Sequence, residues 1–283
     1  MPWTLSADPE AYAARVWDLL AARPVRHTIA LSILGMARKG HRWSEEPMLF
    51  GWYEEDGGVS GAVFHTPPYE LGLGVLPAAA TEPLVEALRA ARHPVAGVSG
   101  AGPATERFAA AWSTATGARA STALRLCLHE LGSLQPPDPA PAGRGRPAEE
   151  RDLALAVGWY GAFQAETRSP GGGDAEAMAR ERIADGRLWL WEAGEGDPAA
   201  LAGRTAASVG VARIAPVYTP PEHRRRGYGA AVTAACTADA LARGDAQVVL
   251  FTDTANPTAN AIYRQLGFRP VDEERVVRFE PAG

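Results

Sequence analysis

Two segments of the chain hold residue types whose spacing could do chemistry. The first is Val211–Val232, VARIAPVYTPPEHRRRGYGAAV. An apolar strand ends at Val217-Tyr218-Thr219, and Pro220-Pro221 stop it, because proline cannot donate to a strand ladder. Arg224-Arg225-Arg226-Gly227-Tyr228-Gly229 follows, and an alanine-rich helix begins at once. A strand, a basic glycine turn and a helix start together make an anion site. Free backbone N–H groups point outward, the helix macrodipole adds partial positive charge, and the arginines add full charge with forked donors. Gly227 and Gly229 let backbone approach a phosphate with no Cβ in the way. The turn is neither GxGxxG nor GxxxxGK[ST], which argues against a dinucleotide fingerprint or a P-loop here.

The second segment is Asn256-Pro257-Thr258-Ala259-Asn260-Ala261-Ile262-Tyr263-Arg264-Gln265-Leu266-Gly267-Phe268. Asn256 is a good helix cap with Pro257 at the first helical position. Tyr263 lies two turns on, Gly267 ends the helix, and Phe268 starts the last strand. Arg224-x-x-Gly227-x-Gly229 resembles motif A, [RQ]xxGx[GA], of the GCN5-related N-acetyltransferases. The segment from Asn256 is similar to that family's NxxAxxxYxxxGF. Together with the strand Val248–Phe251 between them, they resemble a bacterial subgroup of predicted acetyltransferases that carries an extra N-terminal domain.

The resemblance implies specific roles. Val217, Tyr218 and Thr219 would pair with a pantetheine arm as an added strand, one amide polarising the thioester carbonyl. The pyrophosphate of acetyl-CoA would rest on amides from Arg225 to Ala230 (Arg225, Arg226, Gly227, Tyr228, Gly229, Ala230), with the Arg224 side chain at the motif's first position. Asn256 and Asn260 would bond to the cofactor or the oxygen network near it. Tyr263 would protonate the leaving thiolate. A neutral amine is needed for attack, and amines of pKa ~10 are mostly protonated at neutral pH, so a carboxylate base is expected. Asp253 is the first candidate, with chain turning as its alternative role, and Glu166 is the second. The loop Thr167–Asp174 is expected to shape acceptor entry. The implied function is transfer of an acetyl group to a primary amine, on a small molecule or peptide, by direct attack in a ternary complex. A CoA-binding sensor or scaffold without turnover, or a transferase of longer acyl chains, would use the same motifs. No metal is expected, since His27, His41 and His65 lack ligand spacing.

These residues need a scaffold, and the rest of the chain supplies it. At 283 residues about two domains are expected. Residues 132–149, GSLQPPDPAPAGRGRPAE, hold five prolines and three glycines and read as a linker. The expected domains are 1–131 and 150–283. Both read as α/β (α+β) with the same order: two helices, strands, helix, strand, helix, strand. Such order fits an ancient duplication, with a mixed central sheet flanked by helices in each copy. The N-terminal copy is degenerate: it lacks RxxGxG, and Phe108…Trp112…Gly117 offers tryptophan where tyrosine belongs. Net charge is −5, which disfavours nucleic acid and anionic membrane as partners. The start shows no secretory pattern and the two cysteines are isolated, so a reducing cytoplasm is expected. A homodimer is left open.

Overall fold

The computed structural model describes residues 3–167, 174–194 and 196–281. The chain divides into two compact units. Unit 1 is Met1–Cys127 with Asp272–Gly283, and unit 2 is Leu128–Val271.

Unit 1 begins with β1 (Trp3–Ser6), α1 (Pro9–Ala21) and α2 (Thr28–Arg38). The Asp8 carboxylate caps α1, accepting from the Glu10 amide at 2.8 Å, which satisfies one of the free N–H groups of the first turn. Then come β2 (Leu49–Glu55), β3 (Gly58–His65), β4 (Leu71–Val75), α3 (Thr81–Ala90), β5 (Gly97–Ala101), α4 (Gly102–Thr116) and β6 (Arg119–Leu131), whose residues from Leu128 on belong to unit 2. The final strand of the chain sits beside β5. Each face of the sheet carries its own core. Tyr12, Val16, Leu20, Leu31 and Leu34 of the first two helices pack with Phe50 and Phe64. Leu84 and Leu88 of α3 and Phe108 of α4 pack with Leu71, Leu73 and Val98.

Unit 2 repeats this plan. It has β7 (Arg144–Pro147), α5 (Leu153–Thr167), α6 (Ala175–Ala184), β8 (Leu188–Gly194), β9 (Asp197–Arg204), β10 (Val211–Tyr218), α7 (Tyr228–Ala242), β11 (Gln247–Asp253), α8 (Pro257–Gln265) and the start of β12 (Phe268–Glu280), whose residues from Asp272 on belong to unit 1. Its hydrogen-bonded order is β6-β11-β10-β9-β8-β7, and that of unit 1 is β1-β2-β3-β4-β5-β12. In both, one parallel pair lies among antiparallel neighbours: β4 with β5, and β10 with β11. Val232 and Cys236 of α7 pack with Val248, Leu250 and Phe268 on one face. Ala156 and Tyr160 of α5 pack with Leu188, Leu190 and Leu201 on the other.

The structure departs from the expected boundaries of 1–131, 132–149 and 150–283 in two ways. Residues 144–147 of the expected linker are β7, antiparallel to β8. Proline is tolerated there because β7 is an edge strand. Arg146, only 12% exposed, donates to Asp152 at 2.6 and 2.9 Å and to Glu192 at 2.5 Å. Secondly, the chain's last twelve residues complete unit 1. Glu274–Arg278 pair antiparallel with β5, and Val277 joins the core of Phe108 and Trp112. The strands β1 and β9 were not expected. The alanines and glycine of β9, DPAALAGR, carry little β propensity of their own. Among the described residues no helix is long and apolar enough to cross a membrane.

Candidate active site

The site in unit 2 starts where two parallel strands part. β10 and β11 are in register from Val211↔Gln247 to Ile214↔Leu250. On its other side β10 pairs β9 with a register shift between Ile214 and Val217. Past the shift, Val217 and Tyr218 stay paired with β9, while the register with β11 stops at Ile214. Pro221–His223 then form a single helical turn, and the basic residues follow.

The turn itself is built for an anion. Arg225 has φ 61° and Gly227 has φ 83°, two left-handed residues around Arg226. Such alternation turns successive amides toward one side. Gly227 is the cap residue of α7 and gives it no side-chain hydrogen bond. The first-turn amides of this 15-residue helix therefore keep the donor capacity that a Ser or Asp cap would consume. A Cβ on Gly229 would stand 3.1 Å from Thr219 Oγ1, so glycine lets the end of β10 and the start of α7 touch. These features fit a diphosphate. Arg225 and Arg226 are exposed and make no ion pair among the described residues.

Arg224 is engaged elsewhere. Its Nε donates to Thr219 O at 2.9 Å, and its Nη2 donates to both Glu166 oxygens at 2.7 Å. The guanidinium also lies 5.9 Å over the Tyr218 ring. Tyr218 is buried and donates its hydroxyl to Glu166 at 3.1 Å. Burial, reinforced by the Glu166 charge, raises its pKa above the ordinary phenol value. Trp159 of α5 lies beside it, ring centres 6.1 Å apart. Glu166 thus joins Tyr218 and Arg224 in one cluster, a meeting of α5 with the turn that sequence spacing does not announce.

The residues after β11 form a tight corner. Asn256 caps α8, accepting from the Ala259 amide at 3.0 Å. The Asn260 amide donates to Asp253 O and Asn256 O at 2.9 and 2.7 Å and accepts from Thr252 at 2.6 Å. Its side chain braces β11 against α8. The Asp253 carboxylate accepts from the Ala255 amide at 2.8 Å, which is its alternative, chain-turning role. Tyr263 is half-buried, edge-on to Phe268 at 6.1 Å. Burial pushes its hydroxyl up to about 12, which keeps it protonated at neutral pH. Cys236 is fully buried, its thiol likewise pushed up to about 12 by burial, and so is a poor nucleophile. Of the acceptor loop Thr167–Asp174, residues 168–173 lie outside the described residues.

The comparisons with known proteins concern the fold first. Over 99% of both chains, the fold matches a GNAT-family acetyltransferase from Colwellia psychrerythraea, TM-score 0.62 and 13% identity. It matches a GCN5-related N-acetyltransferase from Sphaerobacter thermophilus with TM-score 0.61 and 17% identity, over 98% of this chain and 95% of that one. A tandem GNAT protein from the clavulanic acid biosynthesis pathway matches over 99% of both chains, TM-score 0.56 and 15% identity. By its fold the chain is similar to GCN5-related N-acetyltransferases, a tandem GNAT protein among them. Residues 193–277, which contain the turn and α8, match the family described as FR47-like protein. No curated protein matches the sequence.

Proposed function

We propose that unit 2 is an acetyl-CoA-dependent N-acetyltransferase acting on a primary amine, of a small molecule or peptide, in a ternary complex. The observation that carries this reading is the uncapped start of α7, under the left-handed residues Arg225 and Gly227, next to the parted strands β10 and β11. Amides of Arg225 to Ala230 would hold the pyrophosphate, with Arg226 and Tyr228 inside that run and Arg224 at its edge. The backbone of Val217, Tyr218 and Thr219 would hold the pantetheine arm. Bound there, acetyl-CoA supplies the activated acyl group. Asn256 and Asn260 shape the corner beside it. Tyr263 is the proposed acid for the thiolate, and Asp253 and Glu166 are the carboxylates available to take the amine's proton. Localisation in the cytoplasm is part of the same proposal.

The test is release of free CoA thiol from acetyl-CoA by the full chain with a panel of primary amines. Tyr263→Phe is expected to lower kcat about tenfold, ~1.4 kcal/mol, with CoA affinity unchanged. Turnover unaffected by Tyr263→Phe removes the acid role. CoA binding without turnover on any amine replaces the enzyme with a binding module.

A further inference from the structure

We propose that Glu166 receives the acceptor's ammonium group, and that Arg224 occupies it until a bound pyrophosphate draws Arg224 away. This rests on the acetyl-CoA reading above. One guanidinium bridges two parts of unit 2. Its Nε is anchored on Thr219 O at the end of β10, and its Nη2 spans both oxygens of Glu166 on the last turn of α5. Arg224 also holds the first position of the anion turn. Its single positive charge has two claimants, the Glu166 carboxylate and any diphosphate over the amides of α7. The pair is about half exposed, 43% and 45%, and such pairs are worth no more than about 1 kcal/mol. A doubly charged phosphate group held by charge-assisted bonds can displace it.

Release of Arg224 leaves Glu166 as a carboxylate bonded to the Tyr218 hydroxyl, and the Tyr218 ring lies 6.1 Å from that of Trp159. A negative charge next to an aromatic ring is suited to a cationic amine. Glu166 accepts one proton from that ammonium: the N–H bond breaks, an O–H bond forms, and the nitrogen keeps its lone pair for attack. The proton later passes from Glu166 to solvent. The exchange sets an order, cofactor before acceptor, and selects acceptors that arrive positively charged.

The test is calorimetric titration of CoA into the full chain as wild type, Glu166→Gln and Glu222→Gln. Glu222 is an exposed carboxylate near the same turn and controls for loss of negative charge alone. Glu166→Gln is expected to bind CoA roughly three- to fivefold tighter, the gain expected from losing a half-exposed pair. Glu222→Gln is expected to match wild type. With whichever amine turns over, Glu166→Gln should also raise the amine KM about tenfold or more. Equal CoA affinity in wild type and Glu166→Gln, or equal tightening by Glu222→Gln, overturns the exchange while the acetyl-CoA reading stands. Absence of CoA binding to all three proteins overturns the reading itself.

Discussion

Units 1 and 2 open their sheets in the same way and finish the opening differently. In unit 1, β4 and β5 are parallel in register only from Leu71↔Val98 to Leu73↔Gly100, and β3 meets β4 with a register shift. In unit 2, β10 and β11 part after Ile214↔Leu250, with the shift on the β9 side. The segments after the two opened strands are opposite in character. After β4 come Leu76, Pro77 and a helical turn of three alanines, and Glu82 stands in the first turn of α3. After β10 come three arginines, two left-handed residues and the open start of α7. The cleft over β4 and β5 is lined by Arg26 and Asp272, which pair with each other at 3.0 Å. Where unit 2 has Tyr263 edge-on to one phenylalanine, unit 1 has Trp112 stacked on Phe108 at 5.9 Å and in contact with Phe279. A bulged, parted strand pair is therefore a property of the fold, and the proposed anion site depends on the turn placed after it.

The sharpest way to break that contrast is to put the same charge in both turns. Gly229→Glu adds a carboxylate and a Cβ where Thr219 Oγ1 is only 3.1 Å away. It should weaken CoA binding about a thousandfold, ~4 kcal/mol, through repulsion and lost approach. Ala79→Glu, on the exposed turn after β4, should leave the measured affinity unchanged. Calorimetry on both variants decides, and weakening by Ala79→Glu would mean that unit 1 also holds the cofactor.

The next effect is on stability and falls on unit 2. Arg146 ties β7 to Glu192 of β8 and to Asp152. Its hydrogen bonds hold Glu192 below the ordinary carboxylate range; at Asp152 burial pushes upward, and the bonds to Arg146 outweigh it. Arg146→Ala leaves both acids without their partner. It should cost about 3 kcal/mol in denaturant unfolding, as broken buried pairs do. Substitution of Arg119, on the exposed part of β6 in unit 1, should cost less than about 0.5 kcal/mol. A loss at Arg146 no larger than that would return 144–147 to a linker.

How much of this could be read in the sequence depends on whether a residue's role is local. The turn Arg224–Gly229 and the corner Asn256–Phe268 act through spacing along the chain, and their turns and caps were legible there. So was the alternation of helices and strands, because apolar periodicity is local too. Glu166 meets Arg224 across 58 positions, and nothing in the spacing of either announces the other. The destination of β12 depends on which core accepts Val277 and Phe279, a tertiary preference. β7 was hidden because RGRP carries loop-like residues, and its strand form rests on Arg146 reaching Asp152 and Glu192.

The smallest expected effect concerns pH and separates the units again. In unit 1, His65 Nε2 lies 3.0 Å from Tyr69 O, which can only accept, so Nε2 carries the proton. His65 Nδ1 then accepts from His93 Nε2 at 2.6 Å. A further proton on the Nδ1 of His65 would set two N–H groups face to face. Burial first, then the His93 charge, pushes His65 down to about 4, and burial lowers His93 as well. An unfolded histidine titrates near 6.5. Between about 6.5 and 4 the unfolded chain therefore binds a proton that the folded chain refuses. Stability is complete above this window and is lost as pH falls through it. In unit 2 the acids Asp152 and Glu192 have folded values below their ordinary ones, so their contribution is lost only at lower pH. Hydrogen exchange followed segment by segment from pH 7 to 4.5 should show β3 and β4 losing protection before β7 and β8. His65→Gln should flatten the unit 1 profile, by roughly 2 kcal/mol between the two ends of that range. Parallel profiles for wild type and His65→Gln would show that the pair does not set the acid sensitivity of unit 1.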